Sequence, residues 1–328
     1  MKIKEIYKTK EKIMNNSLTE EQVKVLNMSQ SVINEVRKVI IGKDEIIIKV
    51  LLSILAGGHI LIEDIPGVGK TTLAVALSKA LSLDYKRLQF TPDVLPTDVT
   101  GFTILNKETH KFEYKQGAAL TNLFLADEIN RTSSKTQSAL LEVMEEGKVT
   151  VDGITHKMPD PYIVIATQNP VGSIGTQMLP ESQMDRFIVR LTMGYPNLES
   201  EVAMLKSKQN LVPVDNVRPV VSAEDILQAR KVVENIYVSD QVFQYIVMLA
   251  NATRNNEYIK LGLSPRMTKA TALLKGRDYV IPDDVIYSFK DVVLHRLVFN
   301  SKAKINGFTG EQILKGVISS VQVPRVSK

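Results

Sequence analysis

The sequence predicts an α/β fold in which a buried, five-stranded parallel sheet is followed by a smaller, all-helical region. Three observations predict it. Five short runs of mostly apolar residues have the length and composition of strands that are buried on both faces. Helical patterns lie between several of these runs, as in successive β-α-β units. After about residue 200 the strand signals stop, and apolar residues recur at helical spacing.

Length and composition are those of a soluble globular protein. The chain has 328 residues, of which 44% are hydrophobic and 23% are charged. It contains no cysteine, which excludes disulfides and thiolate metal sites. The longest apolar stretch, residues 50–62, is interrupted by polar and glycine residues and is too short for a membrane span. Because the N-terminus also lacks a secretory pattern, we expect a cytoplasmic protein.

The chain divides into three segments. They are an N-terminal arm at residues 1–20, an α/β domain that carries the sheet at residues 21–197, and a helical domain at residues 198–328. Ser17 and Glu20 have the spacing of a capping box, which predicts that the first helix begins there. Gly42 ends that helix, and residues 46–56 predict a second one.

The strand candidates come in a regular order with two insertions. The five runs cover residues 59–63, 85–90, 123–126, 162–167 and 187–191. A Gly-rich turn follows the first run, and a helix is predicted from about Lys70 to Leu81. Residues 102–114 and 149–157 alternate between apolar and polar, and the second segment contains the turn-forming pair Asp152-Gly153. We interpret both segments as β-hairpins that project from the sheet.

The first chemical motif is the string Asp64-Ile65-Pro66-Gly67-Val68-Gly69-Lys70-Thr71, which ends as phosphate-binding loops do. Gly67 and Gly69 allow the backbone to turn its N–H groups toward phosphate oxygens. Lys70 is expected to reach the β- and γ-phosphates, and the Thr71 hydroxyl suits Mg²⁺. Asp64 replaces the first glycine of the general pattern. The alternative is an ordinary Gly-rich turn, but the strand before it and the helix after it favour a phosphate loop.

The second motif is a buried strand that ends in two carboxylates, Asp127 and Glu128. In open α/β sheets, ligands bind at the carboxyl ends of the strands. Asp127 is therefore predicted to hold Mg²⁺, directly or through water, and Glu128 to orient and deprotonate an attacking water. A strand that ends in acids is common, but its place downstream of a phosphate loop favours this interpretation.

Three further polar residues are candidates for phosphoryl transfer, each with an ordinary structural alternative. Asn169 follows a strand and can hold a water near the γ-phosphate, although Asn169-Pro170 also suits a simple turn. Arg186 precedes the last strand and is either a surface charge or an arginine supplied to a neighbouring subunit. Arg266 begins a helix of the C-terminal region, where it is either a surface residue or a contact to the γ-phosphate.

The remaining residues predict no second site. The four histidines, His59, His110, His156 and His295, show no metal-ligand spacing and are expected to be structural. The formal net charge is +5 and the sequence pI about 9.1, as in a mildly basic enzyme with an anionic ligand. Nucleic-acid binding usually needs a localised basic stripe, and the one dense basic stretch, residues 2–12, is interrupted by glutamates.

With these motifs in place, the chain resembles the MoxR family of AAA+ ATPases over roughly residues 36–298. The strings that carry the resemblance are Ile41-Gly42-Lys43, Glu63 to Thr71, Ala126-Asp127-Glu128-Ile129-Asn130-Arg131, and the helix at residues 135–146. The resemblance makes Asn169 sensor 1, Arg186 the arginine finger and Arg266 sensor 2. It implies that ATP is contacted by Ile41, Gly42, Pro66, Gly67, Val68, Gly69, Lys70, Thr71, Thr72 and Asp127.

The resemblance also implies an architecture and a role. Residues 102–114 would form part of a helix-2 insert, and residues 198–328 an α-helical lid. ATP would bind between the subunits of a hexameric ring, and Mg²⁺ would be held by Thr71 and Asp127. Family members act as chaperone-like remodellers, commonly with a von Willebrand factor A domain protein. Arg131 is a candidate for a second arginine that acts on a neighbouring subunit.

Three other functions are alternatives to an ATP-driven protein remodeller. An AAA+ motor on nucleic acid is compatible with the net charge, but no helix-turn-helix, zinc or OB-like signature accompanies it. A catalytically silent scaffold does not fit the complete set of Lys70, Asp127, Glu128 and Arg186. A GTPase would carry a guanine-reading Asn-Lys-x-Asp segment, which is absent from the sequence.

Overall fold

A computed structural model describes residues 18–169, 179–195, 198, 202, 213–254, 266–297 and 307–324. The strands of its central sheet are β1 His59–Glu63, β2 Tyr85–Gln89, β5 Leu123–Asp127, β8 Ile163–Gln168 and β9 Phe187–Leu191. Their order across the sheet is β2-β5-β8-β1-β9, and every pair of neighbours is parallel. The predicted five-stranded parallel sheet is confirmed.

Helices surround the sheet and make up the C-terminal region. Those before the end of the sheet are α1 Glu20–Val36, α2 Asp44–Leu55, α3 Lys70–Ala80, α4 Pro96–Thr100, α5 Ser134–Glu146 and α6 Glu181–Met184. Those after it are α7 Ala223–Glu234, α8 Asp240–Arg254, α9 Arg266–Leu274, α10 Pro282–Val293 and α11 Gly310–Ser320. Short 3₁₀ turns cover Ile129–Arg131, Val214–Asn216 and Leu294–Arg296. None of the described helices is long and apolar enough to cross a bilayer.

The fold is therefore an α/β core followed by a helical region. After β9 the described elements are all helical, apart from one isolated bridge between Tyr237 and Tyr279. The predicted boundary at residue 197 falls in a stretch of which only residues 198 and 202 are described. Residues 1–17 of the predicted arm also lie outside the described part.

The strands are continuously apolar because each one contributes to two hydrophobic cores. Successive strand side chains point to opposite faces of a sheet. In β5, Leu123 and Leu125 join the larger core, which also contains α1, α2, α3 and the C-terminal helices. Phe124 and Ala126 join the smaller core, which contains α5. The sheet is thereby covered on both faces, as a parallel sheet requires.

Strand β2 differs from the prediction that it is buried on both faces. Its residues are half-buried or exposed, and its one neighbour in the sheet is β5. Lys86 and Arg87 occupy this edge, where a charged side chain also discourages pairing with another chain. The apolar pattern of Tyr85, Leu88 and Phe90 suggested burial, but the position of the strand at the sheet edge decides its exposure.

Both ends of α1 also differ from the prediction. The helix ends at Val36, and turns rather than helix lead on to Gly42. The N-cap is Thr19, whose Oγ1 accepts a hydrogen bond from the Gln22 amide at 3.3 Å. The Gln22 side chain accepts from the Thr19 amide at 2.9 Å, which completes a capping box. The Ser17–Glu20 pair was the wrong choice because Thr19 and Gln22 satisfy the same spacing two residues later. Ser17 itself is not among the described residues.

Both predicted hairpins are present. The first consists of β3 Gly101–Asn106 and β4 Lys111–Gln116, and the second of β6 Lys148–Val151 and β7 Ile154–Lys157. The rings of Tyr114 and His156 stack with centroids 3.8 Å apart, which joins the two hairpins.

Candidate functional site

The Gly-rich loop after β1 leads directly into α3. Gly67 has a φ of 84° and Gly69 a φ of 93°, in the left-handed region that disfavours any residue with a Cβ. A Cβ at Gly67 would meet no atom within 4 Å, so the requirement for glycine there is conformational. Gly69 is the N-cap of α3. The free N–H groups of the first helical turn, at Lys70, Thr71 and Thr72, therefore lie at the loop, where they favour an anion.

Lys70 is folded back across this loop. Its Nζ donates to the carbonyl oxygens of Asp64, at 2.7 Å, and Ile65, at 3.1 Å. Burial lowers the pKa of the Lys70 ammonium, and the nearby carboxylates of Asp127, Asp64 and Glu128 oppose that shift. Lys70 and the acidic pair of β5 therefore belong to one electrostatic site.

Asp64, the residue that departs from the general loop pattern, ties the loop to the segment after β9. Its Oδ2 accepts from the Gly194 amide at 2.6 Å, and its Oδ1 accepts from the Ile65 amide at 2.8 Å. Lys43 Nζ donates to the carbonyl oxygens of Met193, at 2.6 Å, and Gly194, at 2.7 Å. These bonds also place Lys43, and with it Ile41 and Gly42, at the loop end of the sheet.

Asp127, the last residue of β5, is buried and fully engaged. Its Oδ1 accepts from the Thr167 hydroxyl at 2.6 Å. Its Oδ2 accepts from Arg87 Nε at 3.1 Å and from Arg87 Nη2 at 2.7 Å. Thr167 also accepts from the Glu128 amide at 2.8 Å, so one hydroxyl aligns both acids. Sequence reasoning missed Thr167 and Arg87, because their types are ordinary for a strand.

Glu128 has a left-handed backbone, with a φ of 57° and a ψ of 48°. For a residue other than glycine this conformation costs about 1–3 kcal/mol and is typical of functional sites. Its carboxylate forms an ion pair with Arg131 Nη1 at 2.7 Å. The structure therefore places the guanidinium of Arg131, a candidate for action on a neighbouring subunit, on Glu128 of its own chain.

Asn169 emerges between the loop and the acidic pair. It follows β8, which lies between β1 and β5 in the sheet. The carbonyl oxygen of Asn169 accepts from Asn130 Nδ2 at 3.1 Å, which joins the end of β8 to the turn after Glu128. Pro170 lies outside the described residues. The structure thus brings Lys70, Asp127, Glu128 and Asn169 together at the carboxyl ends of the strands.

Arg186 lies at the opposite end of the sheet. It precedes β9, and the parallel pairing of Phe187 with His59 puts it at the amino-terminal ends of the strands. Its Nη2 forms an ion pair with Glu145 Oε2 at 2.5 Å, in the last turn of α5. Because the phosphate loop follows the carboxyl end of β1, Arg186 does not meet Lys70 within one chain.

Arg266 is also remote from the loop. It is the exposed first residue of α9 and lines a small cavity with Ala56 and Gly57, which lie just before Gly58 and the start of β1. Ser264 and Pro265 of the predicted motif lie outside the described residues. The structure therefore does not bring Arg266 together with the phosphate loop of its own chain.

The oxygen ligands beside the phosphate loop fit Mg²⁺. A carboxylate and a hydroxyl are the hard donors that this ion prefers, and Asp127 and Thr71 supply them. The Asp127 carboxylate already faces a cation here, the Arg87 guanidinium. In the described ranges no group of three or more His, Asp or Glu side chains could hold a metal ion.

Both ring nitrogens of His59 bond to backbone groups. His59 Nε2 bonds to the Met144 carbonyl oxygen at 3.1 Å, and its Nδ1 accepts from the Val164 amide at 3.0 Å. Burial lowers the pKa of His59 to about 4, so this ring is neutral near pH 7.

Comparisons with known proteins agree with this geometry. Residues 59–189 match the family described as the ATPase family associated with various cellular activities (AAA), and residues 251–317 match the AAA lid domain. Chaperone MoxR1 of Mycobacterium tuberculosis is 36% identical over 89% of this chain and 81% of its own length. The chain belongs to the MoxR family of AAA+ ATPases. As a family, AAA proteins bind nucleotide, hydrolyse ATP and usually form oligomers.

Two other similar proteins cover nearly the whole chain. YeaC of Bacillus subtilis, named as uncharacterised, is 46% identical over 89% of this chain and 93% of its own length. The crystal structure of a candidate ATPase from Cytophaga hutchinsonii superposes with a TM-score of 0.86 at 37% identity, covering 93% of this chain and 98% of the other. The α/β core and the helical lid of the MoxR family are thus both present.

Proposed function

We propose that this chain is a magnesium-dependent ATP hydrolase that works as a hexameric ring and remodels or matures a partner protein complex. One observation supports the enzymatic part of this proposal: Lys70, Asp127, Glu128 and Asn169 lie together at the carboxyl ends of the strands. Each group has the chemistry that phosphoryl transfer to water needs at that place.

The residues at the carboxyl end of the sheet have different roles in the proposed reaction. The N–H groups of the loop and of Lys70, Thr71 and Thr72 bind the phosphates. Ile41 and Gly42 contact the adenine, as the family resemblance implies. Lys70 leaves its carbonyl partners and pairs with the β- and γ-phosphates. Glu128 orients water and accepts its proton, with Asn169 holding that water from the other side. Thr71 and Asp127 would hold Mg²⁺, which would supply positive charge to the phosphates when bound.

The placement of the two arginines supports a site shared between subunits. Arg186 and Arg266 lie at the end of the sheet away from their own phosphate loop. An arginine that stabilises the transferred phosphoryl group is worth ~10³–10⁵ in rate. We therefore propose that both act on the nucleotide of a neighbouring subunit, and that Arg186 leaves Glu145 to do so.

Turnover measured against protein concentration tests the enzymatic proposal. We expect turnover per subunit to rise with concentration, to level off once rings have formed, and to stop when Mg²⁺ is chelated. Turnover per subunit that stays flat while sedimentation shows a monomer would contradict a shared site. Undiminished turnover without Mg²⁺ would contradict the role of Thr71 and Asp127.

The remodelling role is supported by the relative named as a chaperone. We propose that the partner is a von Willebrand factor A domain protein in the cytoplasm, as the family resemblance implies. A Glu128→Gln protein loaded with ATP serves as bait, and the same protein loaded with ADP as control. We expect such a partner to be enriched from the cytosolic fraction by the ATP-loaded bait alone. Equal recovery with ADP, or none, would count against it.

A further inference from the structure

The lid grips the chain on both sides of Arg186. The 3₁₀ turn Leu294–Arg296 supplies two side chains for this contact. His295 Nε2 bonds to the Phe187 carbonyl oxygen at 2.9 Å. Arg296 donates from Nε to Asp185 Oδ1 at 2.6 Å and from Nη2 to the Phe187 carbonyl oxygen at 3.1 Å. The residues immediately before and after Arg186 are thus both tied to the lid.

The gripping side chains are themselves fixed. Arg296 Nη1 donates to the Val292 carbonyl oxygen at 2.6 Å, which anchors the guanidinium on the last turn of α10. The Arg296 side chain is 8% exposed, and His295 is buried. Because a carbonyl oxygen can only accept, Nε2 of His295 must carry the proton of that bond. We call this contact the clamp: it is charge-assisted, with Arg296 and His295 shielded from water and the Asp185 carboxylate exposed.

Strand pairing alone gives the chain around Arg186 little support. Pairing between β1 and β9 is irregular at its start: His59 is opposite Phe187, but Ile60 is opposite Val189, so Ile188 is an extra residue. The element before Arg186 is the four-residue helix α6. The bonds from Arg296 and His295 therefore supply the support that regular strand pairing would supply elsewhere.

We propose that Arg296 and His295 are positioning residues for Arg186, so that the lid of one subunit sets the hydrolysis rate in the next. This inference rests on the proposed action of Arg186 on a neighbouring subunit. A displacement of the lid moves Asp185 and Phe187 with it, and Arg186 lies between them. Misplacement of a catalytic group by about 1 Å can cost ~10²-fold in rate. The lid thereby couples one nucleotide site to the next.

The test is the Arg296→Ala variant, assayed for both nucleotide affinity and turnover. We expect kcat to fall by ~10-fold or more, while the dissociation constant for ATP, measured by calorimetry, changes less than about 2-fold. Asp185→Ala removes the acceptor from the exposed side of the clamp and should lower kcat in the same direction by ~3-fold. If Arg296→Ala does not fold, the kcat of Asp185→Ala tests the proposal by itself. An unchanged kcat in the folded variants would overturn the proposal.

Mixed assemblies separate positioning from damage to the variant's own site. Arg296→Ala subunits keep their own phosphate loop, so Lys70→Ala subunits, which keep an intact clamp, should restore turnover to about a quarter of the wild-type value at equal mixing. Arg186→Ala mixed with Lys70→Ala is the reference. Rescue of Arg186→Ala without rescue of Arg296→Ala would overturn the clamp alone. Failure of the reference mixture would overturn the shared site, and the clamp with it.

A second ion pair between core and helical region gives a matched control. Lys24 Nζ in α1 lies 3.0 Å from Asp225 Oδ1 in α7, and neither touches Asp185, Arg186 or Phe187. Lys24→Ala should leave kcat within about 2-fold of wild type. A loss equal to that of Arg296→Ala would show that any weakened contact of this kind lowers turnover, which contradicts a specific effect on Arg186.

Discussion

At the scale of single residues, the site consists of two acids that are each held by an arginine. Arg87 neutralises Asp127, and Arg131 neutralises Glu128. These pairs balance the negative charge that gathers where the strands end. Binding of a cation and a polyphosphate therefore exchanges one set of charge partners for another, rather than creating charge balance anew.

Replacing Glu128 with glutamine tests its role as the base. The amide has the same shape but cannot accept the proton, so we expect kcat to fall by ~10²–10⁴-fold while ATP affinity stays within about 2-fold. Single-turnover hydrolysis and calorimetry measure the two effects. Glu142→Gln, an exposed carboxylate on α5, is the matched control and should hydrolyse normally. Near-normal turnover in Glu128→Gln would mean that another group is the base.

Sequence reasoning found the residues that lie in contiguous strings and missed those that act through space. Lys70, Asp127, Glu128 and Asn169 each follow or end a recognisable strand. Thr167 is a β-branched residue within a buried strand, where such residues are common for packing reasons. Its bridge between Asp127 and Glu128 depends on the register of β8 against β5, which a single sequence does not specify.

At the scale of elements, strands and hairpins were predictable because their patterns are local. Continuous apolar runs and polar turns predicted all five strands and both hairpins to within one or two residues. Two differences from the prediction, the exposure of β2 and the N-cap of α1, have causes that local patterns do not show. The exposure of β2 follows from its place at the edge of the sheet, and Thr19 competed with Ser17 for the cap of α1.

The junction of the first hairpin with the core gives a prediction at this scale. A Cβ on Gly117 would lie 2.2 Å from the Val99 carbonyl oxygen and 2.4 Å from the Gly101 nitrogen. Gly117→Ala must therefore displace the base of the hairpin, and we expect the free energy of unfolding to fall by about 1–3 kcal/mol. Urea unfolding followed by circular dichroism measures it.

The control for this substitution is a glycine in open space. A Cβ on Gly316 in α11 would meet no atom within 4 Å. Gly316→Ala should raise the free energy of unfolding by up to about 1 kcal/mol, because alanine has the higher helix propensity. A Gly117→Ala protein as stable as wild type would show that the backbone there can move without cost.

At the scale of the whole molecule, the proposed catalytic groups occupy both ends of one parallel sheet. Because all five strands run the same way, groups that follow strands gather at one end and groups that precede them gather at the other. Lys70 belongs to the first set and Arg186 to the second. The sequence shows both residues, but only the shared direction of β1 and β9 shows that they are apart.

Mixing two inactive variants tests this separation. Arg186→Ala and Lys70→Ala should each be nearly inactive alone, while their equal mixture should recover about a quarter of wild-type turnover, since one pairing in four joins an intact loop to an intact arginine. Steady-state turnover after co-refolding or subunit exchange measures it. The double variant Lys70→Ala Arg186→Ala, mixed with Arg186→Ala, should recover nothing. Recovery there would point to another source of activity.

In the proposed ring, the opposed ends of the sheet would also give the assembly a polarity. Contacts that join one end of a subunit to the other end of the next are head-to-tail, and they either close into a circle or continue as a filament. In an open row the terminal subunit has a nucleotide but no donor of Arg186, so a row of n subunits has n − 1 complete centres. Closure completes the last one. An open ring would therefore contain one inactive nucleotide site, at the break between its two terminal subunits.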